Sequence, residues 1–327
     1  MKFSRRRVLQ LTATGTLATA LPDMAPAQSY PAHPVRLIVP YAPGGPNDIL
    51  ARLAAQKLSE RLGKQFYVEN IAGAGGNLGI AQAAKAPPDG HTVIVVPPNI
   101  VVNPLLYPSV AYDPFKDFEP ITAAVAATIV LAVHPSLPVT TVKDLVALVK
   151  FNPPKYSFAS PGTATPPHLV GEQFRLSLGL DLPHVPFNSG GLAISSAVAG
   201  HTPIVFCSLP PATPHIKDGT LRGLAVTSRV RSQALPGVPT MAEAGYPGIE
   251  GEGWFAFIVP AGTPKEITAL LHREIVRIIA LPDIKERLDA LGFVPMGNTP
   301  SECAALFKAE SLKWAEVIRN AGIKATN

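Results

Sequence analysis

Residues 35–63 read VRLIVPYAPGGPNDILARLAAQKLSERLG. A short apolar run comes first, a loop of proline, glycine and small polar residues follows, and a stretch with its apolar residues near one helical face completes the unit. This order predicts a strand from Val35 to Pro40, a helix from Asp48 to Leu62 and a helix stop at Gly63.

The same alternation of short apolar runs and amphipathic stretches continues along the chain, which predicts an α/β fold with mostly parallel sheets. Further predicted strands are Phe66–Glu69, Thr92–Val96, Thr128–Val133, Tyr156–Ala159, Leu182–Val185, Ile204–Cys207, Leu224–Thr227 and Phe255–Val259. Further predicted helices are Pro167–Leu178, Leu192–Ala199, Pro264–Leu281, Ile284–Leu291 and Ser301–Asn320.

The amino terminus has the three regions of an export signal. The basic cluster Arg5-Arg6-Arg7 precedes a short apolar run, and the small residues Ala25-Pro26-Ala27 follow it. The order is typical of a signal peptide, and Ser4 before the arginines resembles a twin-arginine signal. The apolar run is shorter than the roughly 20 residues that span a bilayer. We therefore predict cleavage after Ala27 and a periplasmic mature protein.

The charge of the chain argues against nucleic acid as a partner. The chain of 327 residues carries a net charge of +5, and residues 1–27 contribute four positive charges and one negative charge to it, so the remainder is +2. Such a chain has no polybasic run for nucleic acid.

An oxidising compartment would allow a disulfide between Cys207 and Cys303, but we assign the two cysteines to different lobes.

Two apolar segments are predicted to cross between two lobes, because they flank a self-contained αβ block. They are Thr128–Val133 and Trp254–Val259. The expected division places residues 28–126 plus 255–327 in lobe 1 and residues 127–254 in lobe 2. A chain of about this length commonly forms two domains.

The strand-to-helix loops carry the predicted chemistry. A helix amino terminus offers unpaired N–H groups and about half a positive charge, and glycine lets a ligand approach that backbone closely. Asn47 or Asp48 is expected to cap the first helix. Loops from two lobes at the ends of parallel strands would form a cleft for a small polar ligand. The predicted ligand-binding residues are Tyr41, Ala42, Pro43, Gly44, Gly45, Asn47, Asp48, Gly73, Ala74, Gly75, Gly76, Asn77, Asn99, Ser160, Thr163, Thr165, His168, Phe187, Asn188, Ser189 and Cys207.

Catalytic and cofactor motifs are absent from the sequence. It has no G-x-S-x-G elbow, no G-x-x-x-x-G-K phosphate loop and no H-E-x-x-H pair, and the glycines at 73–79 do not follow the dinucleotide spacing. His168 and Glu172 are one helical turn apart and could share a metal, but a cap-region histidine with a carboxylate four residues later explains them far better. We expect no catalytic residue, no cofactor and no metal.

Several motifs taken together resemble the receptors of tripartite tricarboxylate transporters, also called Bug proteins. The motifs are Pro40-Tyr41-Ala42-Pro43-Gly44-Gly45 with Asp48, Glu69-Asn70 with Gly73–Gly76, Leu224–Ser228, Pro239–Gly245 and Pro260–Pro264. The resemblance covers the mature chain. It implies a two-lobed periplasmic-binding-protein fold that closes on a carboxylated solute and delivers it to integral membrane subunits, with no nucleic acid and as a monomer. In that family, backbone N–H groups and ordered waters hold the carboxylate at loops that correspond to Ala42–Asp48 and Ala72–Leu78.

Two departures from the family pattern bear on the ligand. Phe187-Asn188-Ser189 stands where the family often has Tyr-Lys-Gly, and Cys207 stands where it often has aspartate. The missing lysine argues against a multiply charged ligand such as citrate. We therefore expect a monocarboxylate or dicarboxylate, with an apolar or aromatic body that suits Phe187 and Cys207. An exported enzyme with the same cleft, or an orphan receptor that signals to a membrane sensor, is the alternative.

Overall fold

The computed structural model describes residues 30–152 and 155–321, so the predicted signal peptide lies outside the described residues. The strands are β1 (Val35–Val39), β2 (Phe66–Asn70), β3 (Thr92–Val96), β4 (Phe118–Val133), β5 (Phe158–Ser160), β6 (His184–Pro186), β7 (Ile204–Ser208), β8 (Arg222–Val226), β9 (Glu252–Pro260) and β10 (Phe293–Pro295). The helices are α1 (Pro46–Leu62), α2 (Asn77–Ala84), α3 (Asn99–Leu106), α4 (Val142–Phe151), α5 (Pro166–Ser177), α6 (Gly190–Val198), α7 (Leu209–Lys217), α8 (Lys265–Ile279), α9 (Pro282–Leu291) and α10 (Pro300–Ala321).

Strand β4 belongs to two sheets because its partners change along its length. From Phe118 to Thr128 it pairs with β9, and from Ile129 to Val133 it pairs with β7. The first sheet has the order β2-β1-β3-β9-β4, with β10 also on β4, and the second has the order β4-β7-β5-β6, with β8 also on β4. The molecule therefore has two lobes, each built on one sheet, and β4 runs from one into the other.

The prediction of mostly parallel sheets is wrong, since both sheets are mixed. Strand β1 is parallel to β2 and β3, and β5 is parallel to β6 and β7. Every pairing of β4 and of β9 is antiparallel. The βα units give the parallel strands, whereas β4, which pairs in both sheets, and β9, which pairs in the first sheet, run in the opposite sense to their neighbours.

Strand β4 begins ten residues before the predicted start at Thr128. Residues 118–127 contain Pro120 and four alanines, residue types that are depleted in strands, so propensity does not reveal this half of β4. Helix α3 also escapes prediction, because Val101, Val102 and Pro104 are poor helix formers. Packing determines both elements, since most of their residues are buried.

Apolar clusters cover both faces of each sheet, as expected for α/β layers. In the first lobe, Leu50 and Leu58 of α1 lie in one cluster and Ile100 of α3 lies in the other. In the second lobe, Phe174 of α5 and Ala212 of α7 lie on opposite faces. Within the part of the chain that the structure describes, no helix is both long enough and apolar enough to cross a membrane.

Helix α1 shows how the first loop is fixed. Its N-cap is Gly45, which has extended backbone angles, and Pro46 occupies the first helical position, where its missing N–H costs nothing. The expected cap at Asn47 or Asp48 is therefore wrong. The Asp48 carboxylate instead accepts a hydrogen bond from the Gly44 N–H at 3.1 Å, which ties the loop to the first turn of the helix. The predicted stop at Gly63 is confirmed, since Gly63 has left-handed backbone angles.

Candidate ligand-binding cleft

The loops at the carboxyl ends of β1 and β6 meet between the lobes. The Ala42 N–H donates to the Asn188 carbonyl oxygen at 3.1 Å. The Ser189 hydroxyl donates to the Pro43 carbonyl oxygen at 3.4 Å. These hydrogen bonds join residues of opposite lobes, so the cleft is closed at this edge.

Two helix amino termini face each other across the closed cleft. A β carbon added to Gly45, the N-cap of α1, would lie 3.7 Å from the backbone nitrogen of Gly190, the first residue of α6. Each terminus carries about half a positive charge on its free N–H groups. Two positive ends this close repel each other unless an anion lies beside them, so the arrangement favours a negatively charged ligand.

The other two helices of the second lobe that begin at the cleft contribute few N–H groups. Pro166 and Pro167 occupy the first two positions of α5, and Pro210 and Pro211 lie in the first turn of α7. Proline has no backbone N–H, so these turns lose donors that other residues would provide. In the second lobe, α6 is therefore the helix best able to bind an anion through its backbone.

Two cavities lie at these cleft loops, and the larger of the two has a volume of about 210 Å³. The loops after β2, β5 and β6 form much of its wall, and Tyr107 of the first lobe adds a phenol. Its lining residues are Tyr41, Gly73, Ala74, Gly75, Gly76, Tyr107, Pro161, Gly162, Thr163, Pro186, Phe187 and Asn188.

A smaller cavity of about 30 Å³ lies beside it, and Tyr41 and Pro161 line both. Such a volume is about that of one water molecule. Its lining residues are Tyr41, Gly45, Pro46, Asn47, Pro97, Pro161, Thr165, Pro166, Pro167, Gly190, Ser208, Gly253 and Phe255. Among the described residues, no Lys, Arg, His, Asp or Glu lines either cavity.

The carbonyl oxygen of Gly75 holds the loop between β2 and α2 in place. It accepts hydrogen bonds from the Tyr41 hydroxyl at 3.1 Å, from Asn99 Nδ2 at 2.5 Å and from Asn103 Nδ2 at 3.1 Å. Asn103 Nδ2 also donates to Asn77 Oδ1 at 2.6 Å. Burial raises the pKa of Tyr41, so its hydroxyl remains a neutral donor. Three side chains thus donate to this carbonyl oxygen and fix the loop that lines the cavity.

Asp48 organises the first loop. Its carboxylate accepts from Gly44 N–H, from Asn70 Nδ2 at 3.0 Å and from Arg52 Nε at 3.0 Å. Burial raises the pKa of Asp48, but the hydrogen bonds from Arg52, Asn70 and Gly44 outweigh burial and lower the pKa overall. The charge is therefore compensated within the first lobe, and Asp48 does not repel an anion in the cleft as a free carboxylate would.

A pair of histidines, buried His168 and partly buried His184, lies beneath the loop after β5. The rings of His168 and His184 are 4.2 Å apart, and His184 Nε2 lies 2.6 Å from the Ser160 hydroxyl. His168 Nδ1 accepts a hydrogen bond from the Ala164 N–H at 3.2 Å, so this nitrogen is unprotonated. Burial lowers the pKa of His168 to about 4. Burial, and then the charge of a protonated His168, lower the pKa of His184 to about 3.

The structure brings eleven of the predicted binding residues to the cavity walls. They are Tyr41, Gly45, Asn47, Gly73, Ala74, Gly75, Gly76, Thr163, Thr165, Phe187 and Asn188. Asp48, Asn77 and Asn99 instead hold the loops, as described above. Ala42, Pro43, Gly44 and Ser189 lie where the lobes touch.

Ser160, His168 and Cys207 lie inside the second lobe and line neither cavity. Cys207 lies within β7 because the strand continues to Ser208, and its fully buried thiol packs in an apolar cluster. Successive side chains of a strand point to opposite faces, so Ser208 reaches the cavity and Cys207 does not. Burial raises the pKa of the Cys207 thiol to about 12, and both cysteines are free.

Sequence reasoning missed twelve of the lining residues, for two reasons. For seven of them, the sequence predicts the loop or its border as part of the cleft but not these particular residues. The seven are Pro46, Pro161, Gly162, Pro166, Pro167, Gly190 and Ser208. The other five carry no local signal: Pro97, Tyr107, Pro186, Gly253 and Phe255. Gly253 and Phe255 are in β9, and only the tertiary fold brings that strand to the cleft.

Residues 50–323 match the tripartite tricarboxylate transporter family receptor. The chain belongs to this receptor family. It is similar to the protein BugT of Bordetella pertussis, with 34% identity over 91% of this chain and 92% of BugT. The sequence resemblance to the Bug receptors is thereby confirmed.

Solved structures agree with this assignment. Rpa4515 of R. palustris, determined with adipate, superposes with a TM-score of 0.88 and 34% identity over 91% of this chain and 100% of that chain. MatC from Rhodopseudomonas palustris, determined with bound malate, superposes with a TM-score of 0.84 and 30% identity over 88% of this chain and 100% of that chain. The predicted two-lobed periplasmic-binding-protein fold is confirmed.

Proposed function

We propose that this receptor binds a monocarboxylate or dicarboxylate in the cleft between its lobes and delivers it to the membrane subunits of a tripartite transporter. The observation that carries the proposal is the pair of helix amino termini at Gly45 and Gly190, which face each other in the wall of the smaller cavity, next to the larger one. Carboxylates bind at such termini because the free N–H groups donate to the oxygens and the helix dipole favours negative charge.

The absence of ionised side chains from both cavity walls limits the charge of the ligand. Backbone N–H groups compensate a negative charge by dipoles only, whereas a cationic side chain would compensate it fully. Asn188 lines the cavity at the position where the resemblance suggests that the family often has lysine. One or two carboxylates therefore suit the described cleft better than the three of citrate.

The ligand class follows from the cavity and from the relatives. Rpa4515 was determined with adipate and MatC with malate, and both are small dicarboxylates. The larger cavity of about 210 Å³ has Phe187 and several prolines in its wall. These apolar surfaces suit the carbon chain or ring of an organic acid, while Tyr41, Thr163 and Asn188 provide polar groups.

The proposed location is the periplasm, after a twin-arginine-like signal is removed at Ala27. We place residues 28–126 plus 255–327 in lobe 1 and residues 127–254 in lobe 2. The change of β4 partners between Thr128 and Ile129 supports the first of these boundaries. The mature receptor is proposed to act as a monomer, because each of its two lobes has its own core.

We propose further that the receptor leaves its ligand chemically unchanged. Ser160 lies beside His184 as a nucleophile would lie beside its base, but Ser160 is fully buried beneath its loop. Cys207 is fully buried, and its raised pKa keeps the thiol protonated at neutral pH.

The decisive experiment measures ligand binding and ligand integrity together. The mature receptor is screened by thermal unfolding against succinate, malate, adipate, benzoate and citrate, and each hit is followed by calorimetric titration. A ligand at 100 times its Kd should stabilise the receptor by about 2.7 kcal/mol. Mass spectrometry after prolonged incubation should recover the acid unchanged, and a new product would instead support an enzyme.

The variant Gly45→Val tests the helix-terminus site. The backbone angles of Gly45 suit any residue, so the variant should fold. The methyl groups of the valine would fill the space beside the Gly190 nitrogen. Gly237→Val is the matched control, because Gly237 is exposed and has no atom near its β carbon. Full affinity in Gly45→Val would refute the proposed site, and loss of affinity in both variants would show an effect unrelated to the cleft.

A further inference from the structure

A histidine–carboxylate cluster lies at the edge of the first lobe opposite the cleft. His33 precedes β1, and Asp89 and His91 precede β3, whereas the cleft loops follow these parallel strands. The Tyr30 hydroxyl donates to the Gly90 carbonyl oxygen at 2.7 Å, and the Tyr30 ring packs edge-on against His91 at 5.3 Å. The first described residues of the chain are thereby held against the loop before β3.

Three metal-binding side chains converge in this cluster. One ligand atom each from His33, Asp89 and His91 lies within 4.8 Å of the other two. The rings of His33 and His91 are stacked, with centroids 3.6 Å apart. Ligand atoms around one zinc ion are about 3.4 Å apart, given metal–nitrogen bonds of about 2.1 Å. Coordination therefore requires the two rings to rotate out of their stack and the Asp89 carboxylate to turn from His91 Nδ1, which lies 3.4 Å from its Oδ1.

The hydrogen bonds of both rings leave a nitrogen lone pair available. His91 Nδ1 lies 3.1 Å from the Asp89 carbonyl oxygen, and His33 Nδ1 lies 3.2 Å from the Pro34 carbonyl oxygen. A carbonyl oxygen only accepts hydrogen bonds, so each Nδ1 carries the proton and each Nε2 carries the lone pair. An N–H of this kind donated to a backbone carbonyl is the usual support of a metal-binding histidine.

The Nε2 atom of His91 is also an unpaired buried acceptor. It is inaccessible to solvent and, within the described part of the chain, has no hydrogen-bond partner. Burial of a polar atom without a partner costs on the order of 1–3 kcal/mol. A metal ion bound to this nitrogen would remove that cost.

We propose that His33, Asp89 and His91 bind a divalent transition-metal ion such as Zn²⁺. Imidazole nitrogens suit zinc, copper and nickel, and two of them with one carboxylate leave further positions for water. The ion would fasten the segment before β1 to the loop before β3, so the site is structural and separate from carboxylate binding. The sequence did not reveal it, because the two histidines are far apart in the chain and match no metal-binding spacing.

The test uses the untagged mature receptor, stripped with chelator and titrated with Zn²⁺ by calorimetry. One ion should bind per chain, Zn²⁺ should raise the Tm, and Mg²⁺ should do neither. His33→Gln removes an exposed ligand without disturbing the core. Asp89→Asn removes a charge but keeps the side-chain oxygen that accepts a hydrogen bond from the backbone N–H of His91 at 2.9 Å. Each variant should lose about tenfold or more in zinc affinity.

The matched control is His201→Gln, which removes an exposed histidine of the second lobe and should retain full zinc affinity. In the ¹⁵N spectrum of the histidine side chains, Zn²⁺ should shift Nε2 of His33 and His91 and leave His201 unchanged. Unaltered zinc affinity in His33→Gln, or an equal loss in His201→Gln, would overturn the proposal. Carboxylate affinity should be the same with and without chelator, which separates this test from that of the cleft.

Discussion

The backbone of Ala42 hydrogen-bonds to that of Asn188, 3.1 Å away in the opposite lobe. Next to this bond, the chains approach so closely that a β carbon on Gly191 would lie 3.2 Å from three backbone atoms of Gly44. Contact between the lobes therefore depends on bare backbone at this position. In an open receptor, by contrast, a methyl group there would meet no partner.

Gly191→Ala should weaken ligand binding without lowering the stability of the ligand-free receptor. Alanine is favourable in a helix, but its methyl group obstructs closure. A closure penalty of about 1.4 kcal/mol weakens affinity about tenfold. Calorimetry measures the affinity, and denaturant unfolding measures the stability. Gly237→Ala is the control, since Gly237 is exposed and its β carbon would meet no atom within 4 Å. Equal affinity in the two variants would contradict the prediction.

The stability of the loop between β2 and α2 should depend on Asn77 as a hydrogen-bond acceptor. Asn77 Oδ1 accepts from Asn103 Nδ2 at 2.6 Å and from the Tyr112 hydroxyl at 3.2 Å. Asn77→Ala leaves the buried Tyr112 hydroxyl without this acceptor, which should cost about 1–3 kcal/mol of unfolding free energy. Asn77→Asp keeps the acceptor at the start of α2 and should retain most of the stability. The two free energies come from denaturant titration, and similar losses in both variants would refute the role assigned to the oxygen.

Asp48 should stabilise the fold at neutral pH and cease to do so in acid. Its pKa is lowered from 3.8, so the folded state releases the proton more readily than the unfolded state. The resulting stability is present above the unfolded pKa and is lost as pH falls through the folded one. Asp48→Asn should therefore reduce the unfolding free energy at pH 7 by about 1–3 kcal/mol, because it weakens the hydrogen bonds from Arg52 and Asn70.

Denaturant titrations from pH 7 downward check this dependence on Asp48. The difference in unfolding free energy between the natural receptor and Asp48→Asn should stay constant to about pH 5 and shrink below it. A difference that does not change with pH would show that the carboxylate charge is irrelevant. Exposed Glu60 offers a control, since Glu60→Gln removes a carboxylate from the same helix at its surface.

The sequence predicts local units well and tertiary consequences poorly. The unit from Val35 to Gly63 is correct apart from the helix cap, because alternation, loop composition and the glycine stop agree. Cys207 failed as a site residue because β7 continues by one residue, and a single position decides which face a strand side chain joins. Phe255 reaches the smaller cavity through β9, and nothing near it in sequence marks a binding residue. Composition therefore predicts which loops form the cleft, but it does not predict which distant residues the tertiary fold brings to them.

The histidine pair beneath the cleft should make the receptor acid-sensitive. The His184 ring lies 4.9 Å from the Phe158 ring and 4.2 Å from the His168 ring, next to the ion pair between Glu172 and Arg175. Burial lowers the pKa of His168 to about 4 and that of His184 to about 3. In the unfolded chain, both histidines titrate near 6.5, so below this pH the unfolded state binds protons that the folded state excludes.

Stability should therefore fall as pH drops from about 6.5 toward 4, with a slope of up to about 1.4 kcal/mol per pH unit for each proton. His184→Gln keeps a polar group near the Ser160 hydroxyl and removes one titrating ring, so the slope should become shallower. Unfolding free energies at half-unit pH steps measure it. His201→Gln serves as the control, because an exposed histidine of the same lobe should leave the slope unchanged. Identical slopes in the natural receptor and His184→Gln would show that the pair is not the source of the acid sensitivity.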